Sequence, residues 1–239
     1  MERERAVALP ATAAVARAVD LLASAADTGA PATAWTVADP PALVLGRSAR
    51  DPRYDAEACR AEGVEVARRV SGGGPLLWDA DLLGLDVALP PGHTLAGTDV
   101  VLAYRWLGEA IGRALATVGV EQIRLVEIHE ARAAPRDEVA EACFGGLSPY
   151  EILARERKVV GLSQVRRRTG TLLQAGIALR FDAARLARLM GRDADFAALL
   201  RERAAGLDEL GAKVDAEDVT AAVDAEVARC LNRDGLQGD

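Results

Sequence analysis

The sequence predicts an α+β fold in which mixed or antiparallel β-sheets are flanked by helices. Segments rich in alanine and leucine have helical spacing near both ends of the chain, over residues 11–26 and between residues 182 and 231. Short apolar runs typical of strands fill most of the sequence between them. Because these runs do not alternate regularly with helices, a repeated βαβ architecture is not expected.

The N-terminal half begins with a helix and continues mainly as strands. The helix is expected over residues 11–26 and should end near Gly29, a residue type that commonly terminates helices. Strands are predicted at residues 34–37 and 42–45, on either side of the turn Asp39-Pro40-Pro41. The remaining predicted elements of this half are a short helix at 54–62 and strands at 64–69, 75–78 and 85–89.

The C-terminal half is predicted to contain a central helix, three strands and a helical end. The helical pattern covers residues 98–118, and the polar segment 131–141 is expected to be a loop. Residues 121–128 alternate only weakly. The predicted strands are 150–153, 159–162 and 172–179. Three helices are expected between about residues 182 and 231, and the tail 232–239 is expected to fray.

Length and charge limit the classes of function. The 239 residues suffice for one large core, and no linker or repeat divides them, so we predict a single domain over residues 1–239. The net charge of −7 gives no electrostatic basis for nucleic-acid binding. No apolar run of about eighteen residues is present, and the N-terminus does not resemble a signal peptide. We therefore expect a cytoplasmic protein with no membrane partner.

Cysteine and histidine usage gives no sign of a metal or disulfide framework. The three cysteines, Cys59, Cys143 and Cys230, are scattered, and only two histidines occur. A cysteine with a function would therefore act as a free thiol. A nucleophilic cysteine needs a partner that stabilises its thiolate or relays its proton. For Cys143 the alternative is a small buried hydrophobic residue, which is also our interpretation of Cys59 and Cys230.

Lysine usage singles out one position. Of the 29 lysines and arginines only Lys158 and Lys213 are lysines. A chain that otherwise uses arginine has a reason to keep a lysine where chemistry needs an amine, because the basicity of lysine can be tuned. Lys158 precedes the apolar run 159–162, where its amine could bind a carbonyl or a carboxylate. The alternative is a solvated lysine at a strand edge.

A glycine run follows the strand predicted at residues 64–69. Successive glycines allow a backbone to approach a ligand closely and to direct N–H groups at it. With Arg68 and Arg69 beside them, Ser71 and residues 72–74 could hold a phosphate, a carboxylate or an acyl carbonyl. The alternative is a flexible turn between two strands. The run matches neither the P-loop nor the dinucleotide-binding fingerprint.

Together these stretches resemble the lipoate–protein ligase and octanoyltransferase superfamily, which shares its catalytic fold with biotin protein ligases. Residues 41–47 resemble the early strand of this superfamily that ends in Leu-Gly-Arg. Residues 68–74 resemble its Arg-Arg-x-Ser-Gly-Gly-Gly loop, and Asp79 takes the position of a following aspartate. Residues 158–164 resemble its strand that begins with Lys and ends with Gln. The resemblance extends over about residues 34–182.

Within the superfamily, the segments around Cys143 resemble the cysteine-dependent octanoyltransferases. The matching features are Cys143-Phe144, Tyr150-Glu151-Ile152, and the fifteen-residue separation between Cys143 and Lys158. The resemblance implies an acyltransferase that moves an octanoyl or lipoyl group through a thioester on Cys143 to a lysine of a lipoyl domain, with Lys158 as the second catalytic residue.

The resemblance also implies substrate-binding positions, with Leu76, Leu77 and Val160 as walls of an acyl tunnel. The positions implied are Arg68, Arg69, Ser71, Gly72, Gly73, Gly74, Leu76, Asp79, Val160, Gly161 and Gln164. The expected acyl donor is an octanoyl acyl carrier protein or an acylated lipoyl domain. The expected acceptor is a lipoyl domain of a glycine cleavage H protein or a 2-oxoacid dehydrogenase E2. No tightly bound cofactor is expected.

Two alternatives stay open. An ATP-dependent lipoate–protein ligase would act through lipoyl-adenylate, would need ATP and Mg, and would use Arg68 and the glycine loop at the adenylate phosphate. A divergent paralogue would bind acyl groups or lipoyl domains without turnover. Departures from the superfamily pattern suggest this second alternative. They are Pro75 after the glycines, Trp78 and Ala175 where many members have histidine, and Gly84-Leu85-Asp86 in place of Leu-Asn-x-Ser.

Overall fold

The computed structural model describes residues 6–47, 54–211 and 215–235. Its strands, in chain order, are β1 (Val7–Leu9), β2 (Ala32–Ala38), β3 (Ala42–Leu45), β4 (Glu65–Arg68), β5 (Leu76–Trp78), β6 (Leu82–Leu89), β7 (Ile123–Leu125), β8 (Ile152–Ala154), β9 (Arg157–Arg167) and β10 (Gly170–Ala178). Seven of them form a large mixed sheet in the order β1-β2-β6-β10-β9-β8-β7, and β4-β3-β5 form a smaller sheet. In the large sheet β1 and β2 are parallel and the other pairs are antiparallel.

Helices flank these sheets, and they come from the two ends and from the middle of the chain. They are α1 (Ala11–Thr28), α2 (Ala56–Ala61), α3 (Arg105–Thr117), α4 (Ile128–Ala133), α5 (Ala183–Leu189), α6 (Ala194–Arg203) and α7 (Ala216–Gly235). Short 3-10 turns lie at Thr94–Ala96, Leu102–Tyr104, Glu138–Glu141 and Asp208–Leu210. Among the helices in the described ranges, none combines the length and the apolar character needed to cross a bilayer.

The predicted α+β class, with mixed sheets between helices and a helical C-terminal region, is confirmed. The two faces of the large sheet are covered by different helices. Leu83, Leu85 and Val87 of β6 belong to the main core together with residues of α3 and α7. On the opposite face, Ala88 packs with α1 residues such as Leu22. This alternation along β6 follows from the two-residue period of a strand.

α1 is amphipathic, which explains where it packs. Ala11, Ala14, Ala18, Leu22 and Ala25 recur every three or four residues, and all five are buried. Small alanines on this face bring the helix close to the sheet. The helix ends where Gly29 adopts a left-handed conformation (φ 68°), as the sequence predicts.

The structure differs from the sequence-based elements in several places. β1 was not predicted, because three residues carry too little periodicity to be recognised. The loop expected at 131–141 contains the end of α4 and a 3-10 turn. The helix expected from residue 98 begins at Arg105, after the 3-10 turn. Residues 232–235, expected to fray, continue α7, and residues 236–239 lie outside the described residues.

Candidate active site

A cavity of about 370 Å³ is lined by residues of both sheets, and both Cys143 and Lys158 lie on its wall. The large sheet contributes residues of β6, β9 and β10, and the smaller sheet contributes Val44, Leu76 and Trp78. Ala14, Val15 and Ala18 of α1 lie on another side. The size is at the lower end of the range for small-molecule sites.

Glycines on three adjacent strands form part of the cavity lining. Gly84 of β6 pairs with Gly176 of β10, and Gly176 pairs with Gly161 of β9. Since none of the three carries a Cβ atom, the sheet surface is bare along this row, which leaves room for a ligand chain. Two residues further along each strand, the next row contains Asp86, Gln174 and Ser163.

A β-bulge turns Lys158 toward the cavity. Ile152 of β8 pairs with Val160 of β9, and the next β8 residue, Leu153, pairs with Lys158. β9 therefore has one extra residue between two consecutive pairs. In a regular strand Lys158 and Gly161 would point to opposite faces, because their separation is odd. The extra residue, Val159, restores them to one face. Both residues line the cavity as a result.

Lys158 is 1% exposed, and its amine has partners in three directions. Its Nζ donates to the carbonyl oxygens of Cys143 (2.8 Å) and Gly146 (3.1 Å). The third partner is Glu151, whose Oε2 is 2.7 Å from Nζ. The hypothesis of a solvated strand-edge lysine is therefore wrong. Lys213, the other lysine of the chain, lies outside the described residues.

Cys143 lies in a turn, residues 142–148, that we call the cysteine turn. The residue is half-buried, and its thiol is free. Its backbone N–H donates to the carbonyl of Pro75 at 2.9 Å, which ties the cysteine turn to the end of the glycine loop, residues 71–74. The neighbouring Phe144 is buried, and the Lys158 Nζ lies 5.4 Å from its ring centroid. The sulfur-bearing residue and the amine are thus fixed side by side.

The glycine loop is tightly packed rather than a flexible turn. A Cβ atom at Gly74 would lie 1.8 Å from the carbonyl oxygen of Glu141, and Gly73 has a φ of 102°. Arg69 stabilises the loop, since its guanidinium donates to the carbonyls of Val44, Gly72 and Gly74. Gly72, Gly73, Gly74 and Arg69 all line the cavity.

Five of the other predicted substrate-binding residues lie outside the cavity lining in the described part of the chain. The exposed Arg68 donates to the carbonyl of Gly46 at 2.9 Å. Ser71 is buried and accepts from Ser163 at 3.2 Å. Gln164 points away from the cavity face and donates to the carbonyl of Val100. Val160 is buried in the main core, because it neighbours Gly161 and faces the opposite way.

Asp79 lies at a separate cavity of about 300 Å³. Its carboxylate accepts from the backbone N–H of Asp81 at 3.0 Å and is 3.6 Å from Arg185 Nη1. Burial raises the pKa of this carboxyl. In β5, Leu76 and Trp78 face the main cavity while Leu77 faces this second one. The expectation that both leucines wall the same tunnel is corrected by the alternation of strand side chains.

Trp78 and Gly84, two of the departures from the superfamily pattern, are in contact. A Cβ atom at Gly84 would lie 2.7 Å from Trp78 Cζ2. The indole N–H donates to the carbonyl of Leu82 at 3.1 Å, which fixes the ring over the sheet. The absence of a side chain at residue 84 is thus what allows the tryptophan to lie there.

A polar pair in the cavity wall was not singled out from the sequence. Asp86 is 5% exposed, and Gln174 Nε2 donates to its Oδ1 at 2.7 Å. Burial raises the pKa of Asp86 to about 6, although the Gln174 hydrogen bond and the charge of Arg17 oppose the shift. Gln174 Oε1 is buried without a hydrogen-bond partner in the described ranges. The sequence does contain a sign of this site, since Asp86 is the one charged residue in the otherwise apolar strand β6.

Glu151 is the functional neighbour that residue-level reasoning missed. It is 3% exposed, and it accepts from the backbone N–H groups of Ser148 (2.7 Å) and Leu162 (3.2 Å). Burial raises the pKa of Glu151, and the Lys158 ammonium opposes that shift. A carboxylate inside the apolar segment 150–153 was the available signal, because such a group needs a buried partner.

Comparisons with known proteins identify a matching family and similar proteins. Residues 11–228 match the family described as the lipoyl protein ligase A/B catalytic domain. The chain is 27% identical over 212 residues to the octanoyltransferase LipM of Clostridioides difficile (strain 630), covering 84% of this chain and 75% of that protein.

Solved structures share the fold. One is a lipoate-protein ligase A bound with ATP, with 19% identity, a TM-score of 0.71, and coverage of 96% of this chain and 85% of that one. Another is the bipartite lipoate protein ligase with its E2 lipoyl domain from Thermoplasma acidophilum, with 18% identity, a TM-score of 0.68, and coverage of 96% and 84%. The family match covers both Cys143 and Lys158. The chain therefore belongs to the lipoyl protein ligase A/B catalytic domain family.

Proposed function

We propose that this chain is an acyltransferase that moves an octanoyl group, or its lipoyl derivative, through a thioester on Cys143 to a lysine of a lipoyl domain. The observation that carries the proposal is that the Cys143 turn and the Lys158 amine meet on the wall of one largely apolar cavity. The similarity to an octanoyltransferase LipM supports the same reaction class.

The reaction takes place in two balanced steps. Cys143 gives up its thiol proton, and its sulfur attacks the carbonyl carbon of the acyl donor. The bond that breaks is the C–S bond of a carrier thioester or the C–N bond of the acyl amide on a lipoyl domain. The donor leaves as a thiol or an amine after it takes up that proton. The acceptor lysine, as a neutral amine, then attacks the new thioester. An amide forms, the C–S bond to Cys143 breaks, and the amine proton returns to the sulfur.

The cavity can supply what both steps require. The apolar walls and the glycine row can accept the acyl chain, where each buried methylene contributes about 0.8 kcal/mol. Backbone N–H groups near the glycine loop and Gly161 are the candidate donors to the oxyanion of each tetrahedral intermediate. Lys158 supplies positive charge beside the turn that bears the nucleophile.

The partners follow from this chemistry. The donor is an octanoyl thioester of a carrier protein or an acylated lipoyl domain, and the acceptor is a lipoyl domain. The solved ligase that shares this fold is described together with its E2 lipoyl domain, which supports a lipoyl-domain acceptor. The reaction as proposed uses no ATP.

Intact-mass analysis after incubation with octanoyl carrier protein tests the thioester. We expect a mass gain of one octanoyl group that is lost in Cys143→Ala and kept in Cys230→Ser, a control at a half-buried cysteine outside the cavity lining. A gain that survives in Cys143→Ala would contradict the proposal. No gain with any donor would favour a protein that binds acyl groups without turnover.

A second arm separates the transferase from an ATP-dependent ligase. A lipoyl domain is incubated with ATP, Mg and free lipoate, and its mass is measured. We expect no acylation, because Arg68 lies outside the cavity lining and donates to the carbonyl of Gly46, and the glycine loop is packed against the cysteine turn. Acylation that requires ATP and persists in Cys143→Ala would establish the ligase instead.

A further inference from the structure

The hydrogen bonds of Lys158 assign it to the protein rather than to a substrate. An ammonium has three N–H donors, and the carbonyls of Cys143 and Gly146 and the carboxylate of Glu151 supply three acceptors. An acyl carbonyl would have to displace one of them. Lys158 therefore acts on the reaction mainly by holding the cysteine turn in place.

Glu151 determines the direction in which that amine points. One of its carboxylate oxygens contacts Lys158 and the N–H of Ser148, and the other accepts from Leu162 further along β9. The group thus connects the end of the cysteine turn to two positions of the strand that bears Lys158. Tyr150 has a φ of 67°, which redirects the backbone immediately before Glu151.

The charge of Glu151 matters as much as its geometry. Lys158 and Glu151 have side-chain exposures of 2% and 4%, so water solvates neither. A buried ammonium that loses its counterion is strongly destabilised, and the usual response is loss of its proton. Two backbone carbonyls provide hydrogen bonds but no full negative charge.

We propose that Glu151 is a positioning residue for acyl transfer, which keeps Lys158 protonated and directed at the carbonyls of Cys143 and Gly146. This inference rests on the proposed function. It adds that the lysine works as a permanent ammonium fixed by its carboxylate partner, and that it does not remove the proton from the Cys143 thiol or the acceptor amine.

The titratable and charged groups near this pair come from several elements. Tyr104, which precedes α3, faces the carboxylate, and its phenol pKa is raised by burial and by the Glu151 charge. Arg203 of α6 contacts the carbonyl of Gly145 within the cysteine turn and is paired with Asp137. The groups to include in interpreting a pH profile are Cys143, Lys158, Glu151, Tyr104, Tyr150, Arg203, Asp137, Arg136 and Arg69.

Glu151→Gln is the primary variant, since it keeps the shape of the side chain and removes its charge. We expect the rate constant of Cys143 acylation to fall by up to about a hundredfold, because the cysteine turn is no longer held in place, with a smaller change in KM for octanoyl carrier protein. The alkaline limb of the pH profile should move to lower pH, because Lys158 then loses its proton more readily. Glu151→Asp retains the charge but shortens the side chain. In this variant the alkaline limb should stay at the wild-type pH, while the rate constant falls.

The matched control is Glu226→Gln. Glu226 is also a buried carboxylate, with 8% side-chain exposure, and it is paired with Arg113 at 2.9 Å outside the cavity lining. This variant should lower the melting temperature while leaving the acylation rate and its pH profile unchanged. A general loss of stability is thereby separated from a loss of positioning.

The pH dependence of Cys143 alkylation by iodoacetamide gives a readout that needs no acyl donor. Peptide mass spectrometry follows Cys143, with Cys230 as the internal reference. If Glu151 keeps Lys158 charged, Glu151→Gln removes the cation that contacts the backbone of the cysteine turn, and the midpoint of alkylation rises. If Lys158 stays charged without Glu151, the variant gains net positive charge, the midpoint falls, and the inference is overturned. An unchanged midpoint overturns it as well.

The double variant Glu151→Gln/Lys158→Met covers the case in which Glu151→Gln does not fold. Removal of both charges avoids an unpaired buried ion, so the double variant should melt at a higher temperature than the single one. Its alkylation midpoint should also lie above that of the wild type, and a wild-type midpoint would contradict the inference. If no donor acylates the wild-type protein, the proposed function fails while the alkylation result still decides the role of Glu151.

Discussion

Residue chemistry in this cavity depends on where charge is compensated and where it is not. Lys158 and Glu151 compensate each other at 2.7 Å and add hydrogen bonds to backbone groups. Asp86, only two strand positions from Gly84, accepts a hydrogen bond from Gln174, and no cation in the described part of the chain donates to it. One wall of the cavity is thus a satisfied ion pair, and another is a carboxyl group that burial drives toward its neutral form.

The stability of the protein should therefore depend on pH through Asp86. Its pKa is raised from 3.8 to about 6 in the folded state, so the folded state binds more protons between these values. Stability falls as pH rises through that window and stays lowered above it. We expect Asp86→Asn to raise the free energy of unfolding at neutral pH by up to about 3 kcal/mol. Below pH 3.8, where Asp86 is protonated in both states, the substitution should have little effect.

Denaturant melts at several pH values measure this effect, and Asp137→Asn provides a control of opposite sign. The Arg203 guanidinium lowers the pKa of Asp137 to about 2, so its ionised form favours folding. Asp137→Asn should thus reduce stability at neutral pH, although solvent exposure limits the size of the loss. Equal and pH-independent effects of the two substitutions would refute the assignment.

At the scale of elements, irregularities in regular strands create the site. The bulge at Val159 brings Lys158 onto the face of Gly161, and the glycines of β6, β10 and β9 leave that face open. Both features weaken a strand slightly, since they disturb pairing or remove side-chain packing. The neighbouring strands β6 and β10 remain paired over eight residues each, which holds the irregular positions in register.

The contact between β5 and β6 predicts different outcomes for two similar glycines. In Gly84→Ala the new Cβ would lie 2.7 Å from the Trp78 ring, so the indole must move, and we expect a loss of about 1–3 kcal/mol. In Gly176→Ala the nearest atom is Leu82 Cδ1 at 3.7 Å, an ordinary contact, and the change should be within about 1 kcal/mol.

Urea denaturation of both variants tests the prediction, and Trp78→Ala together with Trp78→Ala/Gly84→Ala completes a double-mutant cycle for residues 78 and 84. The alanine at residue 84 should be less destabilising when the tryptophan is absent, because the two side chains then no longer compete for one space. Similar losses for Gly84→Ala and Gly176→Ala in the wild-type background would show that the indole does not limit this position.

At the scale of the whole molecule, the cavity is lined by parts of the chain that are distant in sequence. α1 near the N-terminus, the smaller sheet, the cysteine turn and the strands β9 and β10 all contribute to its lining. A ligand that fills the cavity therefore contacts several elements at once. Binding to the folded state alone raises its stability.

Melting temperatures measured with straight-chain fatty acids should increase with chain length until the cavity is filled. Each additional methylene buried adds about 0.8 kcal/mol to binding, so octanoate should stabilise the protein more than butyrate at equal concentration. The increase should be reduced in Leu76→Asp, which places a charge on the apolar wall, and retained in Leu77→Asn, on the other face of β5. No dependence on chain length would argue against an acyl site.

Local patterns were sufficient to predict the fold class and the order of the chemical segments. Helical spacing in residues 11–26 and the apolar runs of the middle region depend on neighbours within a few residues, so the sequence contains them directly. The glycine loop, Cys143 and Lys158 could be named for the same reason, because each is recognised by residue type and short spacing. The α+β class and the family follow from this information.

Only the tertiary structure decided which of those residues line the same cavity. The position of Lys158 relative to Gly161 depends on a bulge, and the pairing of Gly84, Gly176 and Gly161 depends on register between strands far apart in sequence. Asp79 and Val160 lie outside the main cavity for the same reason, and Glu151 becomes the partner of Lys158. A shift of one residue in a strand reverses the face of every side chain, and that register is fixed by packing of the whole molecule rather than by any local segment.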